Sequence, residues 1–253
     1  MNDSLLLISL LTLGLIFGSF YNVIGLRVPQ SEDFLTSRSK CPNCGHTLSW
    51  FELIPVLSYV MQGGKCRSCH ARISMFYPFV ELSTGILFAF SYIVFGTSLE
   101  LIVSLCLMSL FMILFVSDMK YMLIPDRILL FFLPIFILLR VLEPLQPWYS
   151  SILGAFIGAG LLALIIIVSR GGMGAGDMKL FGVLGIVLGV KATLLAFFLS
   201  TLFGALISGV LLALGVIKRQ NPVPFGPYII LGSIVAYFFG DIIIEWYLTT
   251  LIR

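Results

Sequence analysis

Long apolar runs, each bounded by Gly, Pro or a charged residue, dominate the chain. A helix needs about 20 such residues to cross roughly 30 Å of hydrocarbon. On that measure the pattern predicts eight spans, at 5–26, 78–95, 99–116, 128–142, 151–168, 180–190, 192–217 and 227–248. The strict two-residue alternation of a membrane β-barrel is absent. The segment 180–190 is short and rich in glycine, the pattern of a half-helix or re-entrant element that needs protein or a cavity to cover its backbone. Only one long stretch is polar, from Arg27 to Tyr77.

Composition agrees with an all-α polytopic membrane protein. Of 253 residues, 59% are apolar and 11% charged, against roughly 25% charged in soluble domains. Asp3, not a basic residue, precedes the first run, which therefore reads as a retained helix and not a cleavable signal. The net charge of +3 is too small and too scattered for a nucleic-acid partner. Its placement instead predicts topology, because cytoplasmic connections hold the Lys and Arg excess. With the N-terminus outside, Arg27, Arg38, Lys40, Lys65, Arg67, Arg72, Lys120, Arg127, Arg170, Lys179, Lys218 and Arg219 fall inside, and only Arg140, Lys191 and Arg253 outside. The long polar loop and the turn before residue 180 are both expected at the cytoplasmic face.

That loop holds Cys41-Pro-Asn-Cys44 and Cys66-Arg-Ser-Cys69. Two C-x2-C pairs at this separation supply four thiolates for one tetrahedral Zn²⁺, as in zinc ribbons. Disulfides are disfavoured on a reducing face, and a doubled redox pair is unusual. A closed four-ligand site folds the loop and does no catalysis. His46 and His70 adjoin the pairs, where lining the knuckle surface is favoured over replacing a thiolate. Cys106 is alone in an apolar span and reads as a small buried hydrophobe. Trp50, Glu52, Pro55, Ser58 and Tyr59 form an aromatic and polar mix suited to membrane, substrate or cofactor, without deciding among them.

Two carboxylates stand at span ends. Asp118 closes the third span, and Asp177 follows the glycine-rich turn Gly171-Gly172-Met173-Gly174-Ala175-Gly176. An ionisable group at the hydrocarbon edge is costly and points to function, and the glycines allow close approach of another chain. A carboxylate pair sharing a proton suits aspartic protease chemistry, one member acting as base on water and the other as acid. Helix capping is the alternative. It is the preferred reading for Asp126, before the fourth span, and weaker for Asp118, which would sit at the wrong end of a helix dipole. Glu81 is a further intramembrane acid, with pairing to a loop Arg or ligand binding as its two readings. Asp241 and Glu245 read as interfacial.

These features together resemble the type IV prepilin peptidase family, including the members that process competence pseudopilins in Gram-positive bacteria. The resemblance rests on Gly18-Ser19-Phe20-Tyr21-Asn22-Val23 with Arg27-Val28-Pro29, the two cysteine pairs, Ile54-Pro55-Val56-Leu57-Ser58-Tyr59 and Gly64-Lys65-Cys66. It continues through Tyr77-Pro78 with Glu81-Leu82 and Thr84-Gly85, Asp118 with Ile124-Pro125-Asp126, Gly174-Ala175-Gly176-Asp177-Met178-Lys179, and Pro224-Phe225-Gly226-Pro227. These cover nearly the whole chain in order.

The resemblance implies a bifunctional enzyme of the cell membrane that cleaves the leader of type IV prepilins or pseudopilins and then N-methylates the new N-terminal residue with S-adenosylmethionine. By motif position Asp118 and Asp177 are the expected catalytic pair. Glu81, Lys65 and Gly64 are the expected cofactor-binding residues, and Cys41, Cys44, Cys66 and Cys69 the zinc ligands. Residues 1–26 are then a first span, 27–77 a loop associated with methyl transfer, and 78–253 the membrane-embedded peptidase. The expected partners are prepilin substrates and membrane lipid. Two rival readings are a transporter, which would place its acids near the bilayer midplane, and a non-enzymatic assembly platform, for which the aspartates would be dispensable.

Overall fold

A computed structural model describes residues 3–34, 38–169, 172–216 and 223–251. Arg170, Gly171, Ile217, Lys218, Arg219 and Arg253 lie outside the described residues. The regular elements are α-helices: α1 (Asp3–Arg27), α2 (Leu57–Met61), α3 (Phe76–Phe95), α4 (Leu99–Tyr121), α5 (Asp126–Leu142), α6 (Ser150–Val168), α7 (Ala175–Ala213) and α8 (Gly226–Leu251), with short 3-10 turns at Val28–Gln30 and Trp50–Leu53. Two compact units divide the chain, Met1–Val116 and Ser117–Arg253.

In the first unit α1 and α3 pack antiparallel. Gly14 lies against Gly85, Gly18 against Glu81, and Asn22 Nδ2 donates to the Tyr77 carbonyl at 3.2 Å. The register puts the end of α1 and the start of α3 at one level, so both ends of the polar loop leave the bundle together. The first part of α4 joins this pair through buried hydroxyl bonds, Tyr21 to Ser109 at 2.6 Å and Ser104 to Ser91 at 2.7 Å. Such bonds satisfy hydroxyls that find no water in hydrocarbon.

In the second unit α7 is two limbs. Gly189 breaks it at φ 70°, ψ −177°, a backbone that only glycine adopts without strain. The limbs double back on each other. Gly158 of α6 faces both Phe181 and Thr193, and the Phe181 and Phe197 ring centroids are 6.0 Å apart. In a straight helix, sixteen residues would separate those rings by about 24 Å. The backbone groups freed at the bend find partners: Arg140 Nε donates to the Val187 carbonyl at 2.9 Å, and the Val190 amide donates to Ser150 Oγ at 3.1 Å. Arg140, counted on the outer side by charge, is buried by this role.

Among the described residues, six helices have the length and apolarity of a membrane span. With 17 residues, α5 falls just short of a full crossing at 1.5 Å per residue, and α7 is two limbs, so the helix count is roughly consistent with the eight apolar segments expected. The first limb of α7, residues 175–188, is about 21 Å long, which is short of a full crossing.

Candidate active site

Asp118 lies in the last turn of α4 and Asp177 in the first turn of α7. Both are buried, at 5% and 9% exposure, and close enough for the charge of Asp118 to act on the Asp177 carboxyl. What places Asp118 is a third helix. Its Oδ2 accepts the Gly226 amide at 2.9 Å, one of the orphan N–H groups that open α8. Asp118 therefore sits at the unfavourable end of its own helix but against the positive end of another. Asp177 follows the Gly174 turn, whose carbonyl accepts the Asp177 amide at 3.1 Å and whose backbone also bonds the carboxyl.

The two aspartate motifs meet at further points. Gly176 packs on Ile124, and Lys179 Nζ pairs with Asp126 Oδ2 at 2.7 Å. That pair corrects the capping expectation for Asp126: Pro125 holds the N-cap position of α5, no side chain caps it, and the Asp126 carboxylate reaches across to Lys179. Both members are about half exposed, so the pair adds registration more than stability. Gly226 was not singled out for a role in the sequence, although Pro227 behind it is a helix-start signal.

The polar loop folds as two equivalent knuckles. In the first, Cys41 N donates to the His46 carbonyl at 2.9 Å and Gly45 N to the Cys41 carbonyl at 2.9 Å; in the second, Cys66 N donates to Ala71 at 2.8 Å and His70 N to Cys66 at 2.9 Å. Gly45 and His70 occupy the same left-handed slot, with φ 71° and 56°. His70 thus has a backbone role, and His46 pairs with Glu52 at 3.3 Å.

The four sulfurs lie within 4.8 Å of one another, with Cys41–Cys69 at 3.9 Å and Cys44–Cys66 at 4.0 Å. Zn–S bonds of about 2.3 Å in a tetrahedron put the sulfurs about 3.8 Å apart. The donor set therefore fits Zn²⁺, whereas a disulfide requires about 2.05 Å. Hydrogen bonds from the Ala71 backbone and from Asn43 draw the Cys69 thiol down to about 6. At Cys44 a backbone hydrogen bond near His46 acts in the same direction, but burial and the neighbouring thiols outweigh it and push the group up to about 11. A bound cation would favour the thiolate form of all four.

Glu52 ties the loop together. It closes a capping box with Ser49 over the turn Trp50–Leu53, and the hydrogen bonds from Ser49, with His46 behind them, hold its carboxyl below the usual carboxylate range. Gly64 is at φ 67° against Tyr59, and Lys65 pairs by its backbone with Arg72. Glu81 has different partners: its Oε2 accepts the Val56 amide at 2.7 Å, and Ser19 bonds it as well. Next to it in the α1–α3 seam, Asn22 Oδ1 is buried without a partner.

Apolar helices of spanning length, two buried carboxylates at helix ends and a four-cysteine loop are the features of a polytopic membrane protein with a candidate aspartate pair. Residues 12–95 match the Bacterial Peptidase A24 N-terminal domain, and residues 105–209 match the Type IV leader peptidase family. A Prepilin leader peptidase/N-methyltransferase of Bacillus subtilis is 48% identical over 235 residues, 93% of this chain and 95% of the relative. Proteins of the same name from Aeromonas salmonicida and Pseudomonas aeruginosa are 35% and 30% identical, covering 88% and 93% of this chain and 80% and 91% of their own lengths. No solved structure matches. The chain belongs to the type IV leader peptidase family.

Proposed function

We propose that this chain removes the leader of prepilins or pseudopilins and then methylates the exposed N-terminal amine, with its N-terminus outside and its active sites at the cytoplasmic face. The observation that carries the peptidase reading is the placement of Asp118 and Asp177, two buried carboxylates at helix ends within one unit. One carboxylate takes a proton from water, which attacks the scissile carbonyl carbon, while the other, protonated, gives its proton to the carbonyl oxygen. Collapse of the tetrahedral adduct breaks the C–N bond, and the departing nitrogen takes a proton from the pair. A prepilin helix lying in the bilayer would present its cleavage point at this depth. The same depth argues against a transport path, which needs acids near the midplane.

For methyl transfer, S-adenosylmethionine supplies the methyl group to the new amine. Glu81 and the unpartnered Asn22 Oδ1 in the α1–α3 seam are acceptors that suit a cationic cofactor, and Gly64 and Lys65 would contribute from the second knuckle. Cys41, Cys44, Cys66 and Cys69 would hold structural Zn²⁺. The test is to incubate the purified protein with a prepilin and labelled S-adenosylmethionine and read the product N-terminus by mass spectrometry. Cleavage with one added methyl supports the reading; an intact leader refutes it.

A further inference from the structure

Outside the spans, the loop carries an apolar surface that stands exposed among the described residues. In α2, Leu57, Val60 and Met61 share one face by helical spacing and are 53%, 67% and 78% exposed, and Trp50 in the preceding 3-10 turn is 78% exposed. The other side of α2 is engaged inward, where Tyr59 packs on Gly64. Met75, at the threshold of α3, is 74% exposed and lies one turn before Phe79, which faces outward from the span.

The Val56–Glu81 bond fixes the depth of this surface. Glu81 is five residues into α3, about 7.5 Å along its axis, and it accepts the amide of the residue immediately before α2. The loop therefore folds back along α3 below the level at which that helix begins. Val56 is held at φ 61°, ψ −49°, a region a β-branched residue avoids unless its surroundings impose it. Beyond the exposed Glu32 and Asp33 at the start of the loop, the charge is one-sided. Between Arg38 and Met75 the exposed Lys and Arg side chains are Arg38, Lys40, Lys65, Arg67 and Arg72, whereas the lone acid, Glu52, is buried.

We propose that Trp50–Met61 is an interfacial element that embeds its apolar face in the headgroup region of an anionic bilayer beside α3, with Arg38, Lys40, Arg67 and Arg72 on the lipid phosphates. A tryptophan over a short apolar helix, flanked by cations, is the chemistry of the membrane boundary. This docking stands apart from the peptidase and methyl-transfer readings, since it would hold in an inactive chain.

The test uses the full chain with Trp148→Phe and Trp246→Phe, leaving Trp50 as the sole tryptophan, in single-copy nanodiscs of phosphatidylglycerol and phosphatidylcholine brominated near the headgroup. The expected result is loss of Trp50 emission relative to the same disc with unbrominated lipid, as burial at the headgroup boundary requires, a smaller loss in neutral lipid or with Arg67→Gln and Arg72→Gln, and recovery of emission with Val60→Asp and Met61→Asp at unchanged zinc content. Emission indifferent to brominated lipid overturns the proposal. So does a response that appears only on adding a prepilin, or only with two copies per disc.

Discussion

Replacing Gly226 with alanine perturbs Asp118 without substituting either aspartate. A Cβ at position 226 would lie 2.6 Å from Asp118 Oδ2 and 2.8 Å from its Cγ, where ordinary contact begins at 3.4 Å. The carboxylate must retreat by roughly 0.8 Å, leaving the Gly226 amide it accepts at 2.9 Å. A misplacement near 1 Å in a reacting group costs about 10²-fold, or about 2.7 kcal/mol of barrier. The helix itself should tolerate the change, since alanine is a better helix former than glycine by up to ~1 kcal/mol. The assay is kcat/KM for prepilin cleavage in nanodiscs, with the melting temperature and methylation of a pre-cleaved pilin as controls. Wild-type cleavage by a folded Gly226→Ala protein would refute the role given to the Gly226 amide.

Four further outcomes follow from the same geometry. Purified protein should contain one zinc per chain, lost in Cys66→Ser together with loop protection from protease; zinc-free protein with four freely alkylated thiols would contradict the site. His70→Gly should keep full zinc content, because His70 serves a left-handed backbone position and not the metal, and metal loss would show ligation after all. Gly185→Ala should sharply lower expression and melting temperature, since its Cβ would run into the Gly154 carbonyl of α6; an unchanged melting temperature would refute that packing. Glu52, held below its ordinary range by Ser49 and His46, stabilises the loop fully at pH 7, and this contribution falls away only below about pH 4. Glu52→Gln should therefore speed amide exchange over 46–53 at pH 7, and equal exchange would exclude the role.

The spans were legible because apolar length alone sets them, and even the doubled-back α7 announced itself in a short glycine-rich segment. The carboxylate motifs were legible as chemistry, but the helix that positions Asp118 was not: the Gly226 amide lies 108 residues away, and local sequence gives no sign of the pairing. Asp126 misled for the opposite reason. Its local context favours a cap, and a tertiary partner, Lys179, took the carboxylate instead. Val56 and Glu81 joined for the same non-local reason, through a strained loop that no spacing rule anticipates. Arg140 looked like a boundary charge until the Gly189 bend created a carbonyl that needed it.

The central claim is that Asp118 and Asp177 act as one proteolytic pair. Its most direct test measures prepilin cleavage and methylation of a pre-cleaved pilin side by side for Asp118→Asn and Asp177→Asn. Each variant should lose cleavage by at least ~10³-fold, as expected when a general acid or base is removed, while keeping methyl transfer. Cleavage surviving in either folded variant would contradict the account.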